Sequence, residues 1–150
     1  MLVRQIMTEA VKTAHPDTKI RDVAVVMCFN KISGMPVVDD QGMIIGMISE
    51  KDILWGMFPK LQDYMEHPEA VDFEALEREY KDVVHMRVAD LMSTKVFTVE
   101  PDMPALKAAS VMFRYRIRRI PVAENGRLVG IISIGDVHKA IFQENLTERN

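Results

Sequence analysis

The sequence contains one segment twice. Gly46-Met47-Ile48-Ser49-Glu50-Lys51-Asp52 returns as Gly130-Ile131-Ile132-Ser133-Ile134-Gly135-Asp136. In each copy an apolar run of β-type residues (Met43 to Ile48, Leu128 to Ile132) meets a serine, an aspartate follows three residues later, and a helical apolar pattern begins. That order predicts strand, N-cap and helix, because the serine oxygen can take an orphan amide of the first turn while the carboxylate reaches back to the cap. A single copy would be an ordinary helix start. Two copies in matching surroundings constrain the whole fold.

The surroundings match when the chain is laid over itself. Met7, Val11, Thr13, Pro16, Asp17, Ala24, Met27, Ile32 and Pro36 fall on Met92, Val96, Thr98, Pro101, Asp102, Ala109, Met112, Ile117 and Pro121 at a constant shift. One residue fewer in the second copy of the Asp39-Asp40-Gln41 turn then brings Gly42, Gly46, Ile48, Ser49 and Asp52 onto Gly126, Gly130, Ile132, Ser133 and Asp136. Met-Thr or Met-Ser, an x-Thr-x-x-Pro-Asp turn, a helix, Met-Pro-Val-Val or Ile-Pro-Val, and Gly-x-Ile-Ser-x-x-Asp together resemble a tandem pair of CBS domains, a Bateman module. The resemblance covers roughly residues 3–54 and 88–146. It implies a regulatory module that binds adenine-containing ligands in the cleft between its repeats.

The fold expected is α/β (α+β): two pseudo-symmetric β-α-β-β-α CBS repeats, residues 1–54 and 88–150, with a helical insertion over 55–87. Val3 to Met7 reads as a short helix or turn and Val11 to Ala14 as a short extended segment closed by His15-Pro16. Lys19 to Asn30 carries Ile20, Val23, Ala24, Met27 and Cys28 at helical spacing, and Met35 to Val38 with Met43 to Ile48 form two strands around a turn. In the second copy a helix starts near Pro104 with Leu106, Ala109, Ser110 and Phe113 on one face, followed by strands Ile120 to Ala123 and Leu128 to Ile132. Within the insertion, Pro59 should kink or restart the helix after Asp52, and Lys60 to His67 suits another turn or two. Asp72 should cap a helix whose stripe is Phe73, Leu76, Tyr80, Val83 and Val84, side chains read as packing.

Composition limits the function classes. A chain of 150 residues that is 48% hydrophobic is long enough for one core or two small similar halves. Its net charge of −3 argues against nucleic acid as the default partner, since phosphate binding rests on clustered Lys and Arg. The single Cys28 forms no internal disulfide and reads as a small core residue in a reducing compartment. With no signal-type start and no apolar run of membrane-spanning length, a cytoplasmic location without a membrane is expected.

The site residues follow from what an adenosine ligand presents: a flat ring, a ribose diol and, usually, phosphate. An ionised carboxylate accepts from both ribose hydroxyls. The resemblance assigns this to Asp52 and Asp136. Ser49 and Ser133 stand at helix N-termini, where free amides favour an anion, so they are candidate phosphate or ribose contacts as well as caps. The resemblance also implies that adenine lies along the segments of Thr13 and Thr98 and along the residues entering each Pro-Val strand. These are Ser33, Gly34, Met35 and Pro36 in one copy, and Arg118, Arg119, Ile120 and Pro121 in the other. Arg119 replaces Gly34, and with Arg114, Arg116 and Arg118 it makes a local cationic cluster, read either as a solvated helix end or as a phosphate contact.

No catalytic motif is present, and the four histidines lack metal-ligand spacing, so no enzyme activity, no metal and no required cofactor are expected. The expected function is regulatory sensing of AMP, ADP or ATP, with S-adenosylmethionine and NAD as further members of the class. The alternative is a ligand-free dimeric scaffold acting through its helices. Excess apolar surface on the helices after Asp52 and Asp136 points to a homodimer, and a regulatory role implies an unidentified target protein.

Overall fold

The computed structural model describes residues 1–58 and 65–147. They form helices α1 (Val3–Ile6), α2 (Ile20–Asn30), α3 (Glu50–Trp55), α4 (Phe73–Val83), α5 (Val88–Leu91), α6 (Ala105–Tyr115) and α7 (Ile134–Thr147). Strands are β1 (Gly34–Val38), β2 (Ile44–Ser49), β3 (Arg119–Glu124) and β4 (Arg127–Ser133). A short 3₁₀ turn covers Pro68–Ala70. The expected helical turn over Lys60 to His67 lies partly outside the described residues.

The chain divides into two compact α+β units that interleave along the sequence: Met1–Val11, Gln41–Ile44 and Phe97 onwards form one, Lys12–Asp40 and Ile45–Val96 the other. Two long-range backbone pairings underlie the exchange. Thr8 bridges Ile131 of β4, with Thr8 N donating to Ile131 O at 2.9 Å, and Ser93 bridges Met47 of β2 in the same way at 2.9 Å. Each Met-Thr or Met-Ser motif therefore closes the free edge of the strand in the other copy, which satisfies backbone groups that an edge would leave open. Gly46 and Gly130 make room for it. A Cβ on Gly46 would stand 2.8 Å from Met92 Sδ and 2.9 Å from Ser93 O, and one on Gly130 2.7 Å from Met7 Sδ and 3.0 Å from Thr8 O.

The opposite edges are equivalent too. Ala14 bridges Val37 of β1 and Val99 bridges Val122 of β3, both parallel. The first turns of α2 and α6 lack side-chain caps. Backbone carbonyls replace them: Ile20 N donates to Met86 O and Ala105 N to Met1 O, each at 2.9 Å. The end of the 55–87 stretch thus does for α2 what the first residues of the chain do for α6.

Each unit has its own core. Ile20, Val23, Met27, Met35, Val37, Ile48, Ile53, Val83 and Val88 fill one; Val3, Val99, Met112, Ile120, Val122, Ile132 and Val137, with three alanines of α6, fill the other. Fully buried isoleucines such as Ile20, Ile48, Ile120 and Ile132 each contribute about 1.5–3 kcal/mol through removal from water.

Three expectations about side-chain placement fail. Cys28 is exposed, not core: at about 100° per residue it lies a quarter-turn beyond Met27, outside the Ile20/Val23/Met27 row that faces the sheet. The buried face of α6 is Ala105, Ala108, Ala109 and Met112, whereas Leu106 and Phe113 are 66% and 67% exposed. Small residues let that helix lie close on its sheet, so the larger apolar side chains are on the other side. In α4 only Val83 is buried; Phe73 is largely in solvent and Tyr80 is partly exposed. Among the described residues no helix is long and apolar enough to cross a membrane.

Candidate ligand-binding site

Both Ser-x-x-Asp motifs fold as reciprocal capping boxes. Asp52 N donates to Ser49 Oγ at 3.2 Å while Asp52 Oδ2 accepts from Ser49 N at 2.9 Å and from Ser49 Oγ at 3.0 Å. In the second copy Asp136 N donates to Ser133 Oγ at 3.0 Å and Ser133 N to Asp136 Oδ2 at 2.8 Å. Both pairs are half-buried, and the cap uses one carboxylate oxygen only. Among the described residues Oδ1 of each aspartate takes no hydrogen bond, so an acceptor held rigidly by the cap remains open at each helix start.

The hairpins bring the Pro-Val strands to these caps. Glu50 N donates to Ser33 O at 2.9 Å and Ile134 N to Arg118 O at 3.0 Å, tying the first helical residue to the residue that precedes the neighbouring strand. In the β3–β4 ladder Arg119 lies directly opposite Ser133, and Ile120 opposite Ile132. Three of the expected residues, Arg119, Ser133 and Asp136, are thereby gathered at one end of one hairpin. Gly34 occupies the equivalent place beside Ser49, its hypothetical Cβ 3.7 Å from Ser49 Cβ.

The other expected residues divide by exposure. Thr13 and Thr98 are exposed on the extended segments just before Ala14 and Val99, which hydrogen-bond to Pro36 O and Pro121 O at 2.9 and 3.0 Å. Pro36 and Pro121 are buried. The side chains of Met35 and Ile120 belong to the two cores, which leaves their backbone, not their side chains, for a ligand. Arg114, Arg116, Arg118 and Arg119 are all exposed, and among the described residues none of them pairs with a carboxylate. Their charge is available to an anion.

Sequence reasoning passed over an aromatic pair beside Thr98. Phe97 stacks on Tyr115 with ring centroids 3.8 Å apart and 15° between planes, and Arg114 lies over the Tyr115 ring at 5.5 Å. The signal was present as a difference between copies, since the equivalent positions hold Lys12 and Asn30.

Comparison with known proteins agrees with this architecture. The CBS domain family matches residues 3–57 and 88–143. The uncharacterized protein MJ1426 of Methanocaldococcus jannaschii is 32% identical over 95% of this chain and 92% of its own length. CBS domain-containing protein YhcV of Bacillus subtilis is 29% identical over 90% of this chain and 81% of its own. The crystal structure of Arabidopsis thaliana CBSX2 in complex with AMP superposes with a TM-score of 0.73 at 26% identity, covering 96% of this chain and 98% of that one. Two matched segments, each with its capped Ser-x-x-Asp helix and Pro-Val hairpin, make the chain a member of the CBS domain family, with a tandem pair of the domain.

Proposed function

We propose that the chain is a non-catalytic regulatory module that senses an adenine-containing ligand. The observation that carries this reading is the open Oδ1 of Asp52 and Asp136, each fixed by a capping box and suited to a ribose diol. The AMP complex of CBSX2 supports it from outside the chain. Ser49 and Ser133 offer helix N-termini, Arg118 and Arg119 offer charge for phosphate, and within each repeat the base is assigned to Thr13 with Pro36 and the backbone of Met35, or to Thr98 with Pro121 and the backbone of Ile120. AMP, ADP and ATP fit this set of groups best. S-adenosylmethionine and NAD share the ribose and base, but S-adenosylmethionine brings a sulfonium where the arginines favour an anion.

The test is thermal unfolding of the chain with AMP, ADP, ATP, S-adenosylmethionine and NAD in turn. A ligand present at about 100 times its Kd adds about 2.7 kcal/mol of stability. No shift with any of the five at millimolar concentration would refute the reading.

A second reading is favoured by the exposed apolar side chains. Phe29 on α2 is 82% exposed, and Leu54, Trp55, Leu106, Phe113, Phe142 and Leu146 also face solvent in the single chain. A homodimer that covers these side chains, working in the cytoplasm on a target protein, accommodates them. In its limiting form the dimer is a scaffold without ligand, which the same titration would separate from a sensor.

A further inference from the structure

We infer that the Phe97–Tyr115 stack is a positioning clamp that pre-forms the second repeat's half of the ligand site, and that the first repeat lacks one. The inference rests on the adenosyl reading and adds to it which half is ready to bind. Thr98 is held on its C-terminal side by Val99, which donates to Pro121 O at 3.0 Å and accepts from Ala123 N at 2.9 Å. On its N-terminal side the Phe97 ring, half-buried against the core of its unit, is stacked on the last helical residue of α6. Tyr115 is followed at once by Arg116, in the left-handed region at φ 56°, and by the segment that delivers Arg118 and Arg119 to β3. One stack therefore ties the Thr98 segment to the segment carrying the arginines.

The same positions in the first repeat carry no such tie. Lys12 is exposed, and Asn30 turns its Nδ2 back onto Val26 O of its own helix at 2.8 Å. Ala14 still bonds to β1 on the C-terminal side. Thr13 is thus held from one side and Thr98 from both. Segments ordered before the ligand arrives cost less to order on binding, and that difference corresponds to about five- to tenfold in affinity for one or two immobilised side chains.

The decisive experiment combines amide hydrogen exchange on the ligand-free chain with calorimetric titration of AMP, for Tyr115→Asn, Tyr115→Phe and Phe97→Leu. Faster exchange over residues 97–99 and 117–118 is expected in Tyr115→Asn and Phe97→Leu, with the β3–β4 ladder as protected as in the unmodified chain. Tyr115→Phe should behave as the unmodified chain does, because the ring and not the hydroxyl makes the stack. AMP affinity should fall about five- to tenfold in the two disrupting variants and hold in Tyr115→Phe. If Tyr115→Asn loosens the whole β3–β4 ladder, Phe97→Leu, which keeps apolar volume, decides alone. Unchanged exchange around Thr98 in both disrupting variants, or unchanged AMP affinity despite faster exchange, would overturn the clamp. If the unmodified chain binds another of the five ligands and not AMP, that ligand replaces AMP in the titration; binding of none would instead strike the adenosyl reading, and the exchange measurement would still decide whether the stack orders these segments.

Discussion

Arg119 faces Ser133 across the β3–β4 ladder because β4 holds one extra residue between the partners of Val122 and Ala123. Carried back from the Glu124–Arg127 pair without that irregularity, the register would set Arg119 opposite Ile132, one residue away from the helix cap. A β-bulge re-aims the side chains beyond it, and here it places a cation beside the N-terminus of α7.

Arg119→Ala should therefore weaken binding of ADP and ATP more than binding of adenosine, which has no phosphate to lose. A charge-assisted hydrogen bond contributes roughly 1.5–3 kcal/mol, so the loss for the nucleotides should be about one to two decades in Kd. Calorimetric titration of the three ligands against the variant measures it. Equal losses for adenosine and ATP would remove Arg119 from the phosphate site.

The two capping boxes lead to a paired expectation. Asp136→Ala and Asp52→Ala should each lower stability by about 1 kcal/mol, since both carboxylates accept their serine N–H in the same way. Binding should distinguish them: Asp136→Ala costs about ten- to a hundredfold in nucleotide affinity and Asp52→Ala less, because only the second copy has an arginine opposite its capping serine. Urea unfolding and calorimetry together check this, and a larger binding loss for Asp52→Ala would assign the dominant site to the other half.

Glycine substitutions separate packing from propensity. Gly46→Ala forces a Cβ to within 2.9 Å of the backbone carbonyl of Ser93 and should cost about 1–3 kcal/mol. Gly135→Ala meets nothing nearer than Ser133 Oγ at 3.6 Å, within a helix, and should be neutral or stabilising by up to about 1 kcal/mol. The denaturant midpoint of Gly46→Ala should fall and that of Gly135→Ala should hold or rise; a tolerated Gly46→Ala would mean that the Met92-Ser93 segment is not held against β2.

Self-association is the expected outcome of leaving these apolar side chains in solvent. Phe29, Leu54, Trp55 and Phe142 on the helices of the two units favour a homodimer at micromolar concentration. Sedimentation velocity should return the dimer mass, and Phe29→Glu should shift the equilibrium toward monomer. A monomer throughout the micromolar range would count against this arrangement.

What the sequence determined by itself was everything governed by neighbours a few residues apart. The Ser-x-x-Asp caps, the spans of α2 and α4, the Asp72 cap on Ala75 N and the hairpin turn at Asn125-Gly126 are all three- or four-residue interactions, and they lie where spacing predicts. Repetition extended that legibility to the family. Tertiary structure alone decided three further matters. Thr8 and Ser93 each close a strand edge of the opposite copy, a choice between chemically equal edges that only the path of the chain resolves. The alanine face of α6 packs inward in place of Leu106 and Phe113, because close approach to the sheet outweighs the burial of larger side chains farther away. And the bulge in β4, which leaves no mark in an apolar run of Leu128-Val129-Gly130-Ile131-Ile132, determines which residue Arg119 faces. Those depend on non-local backbone pairing and on volume, and neither has a period along the chain.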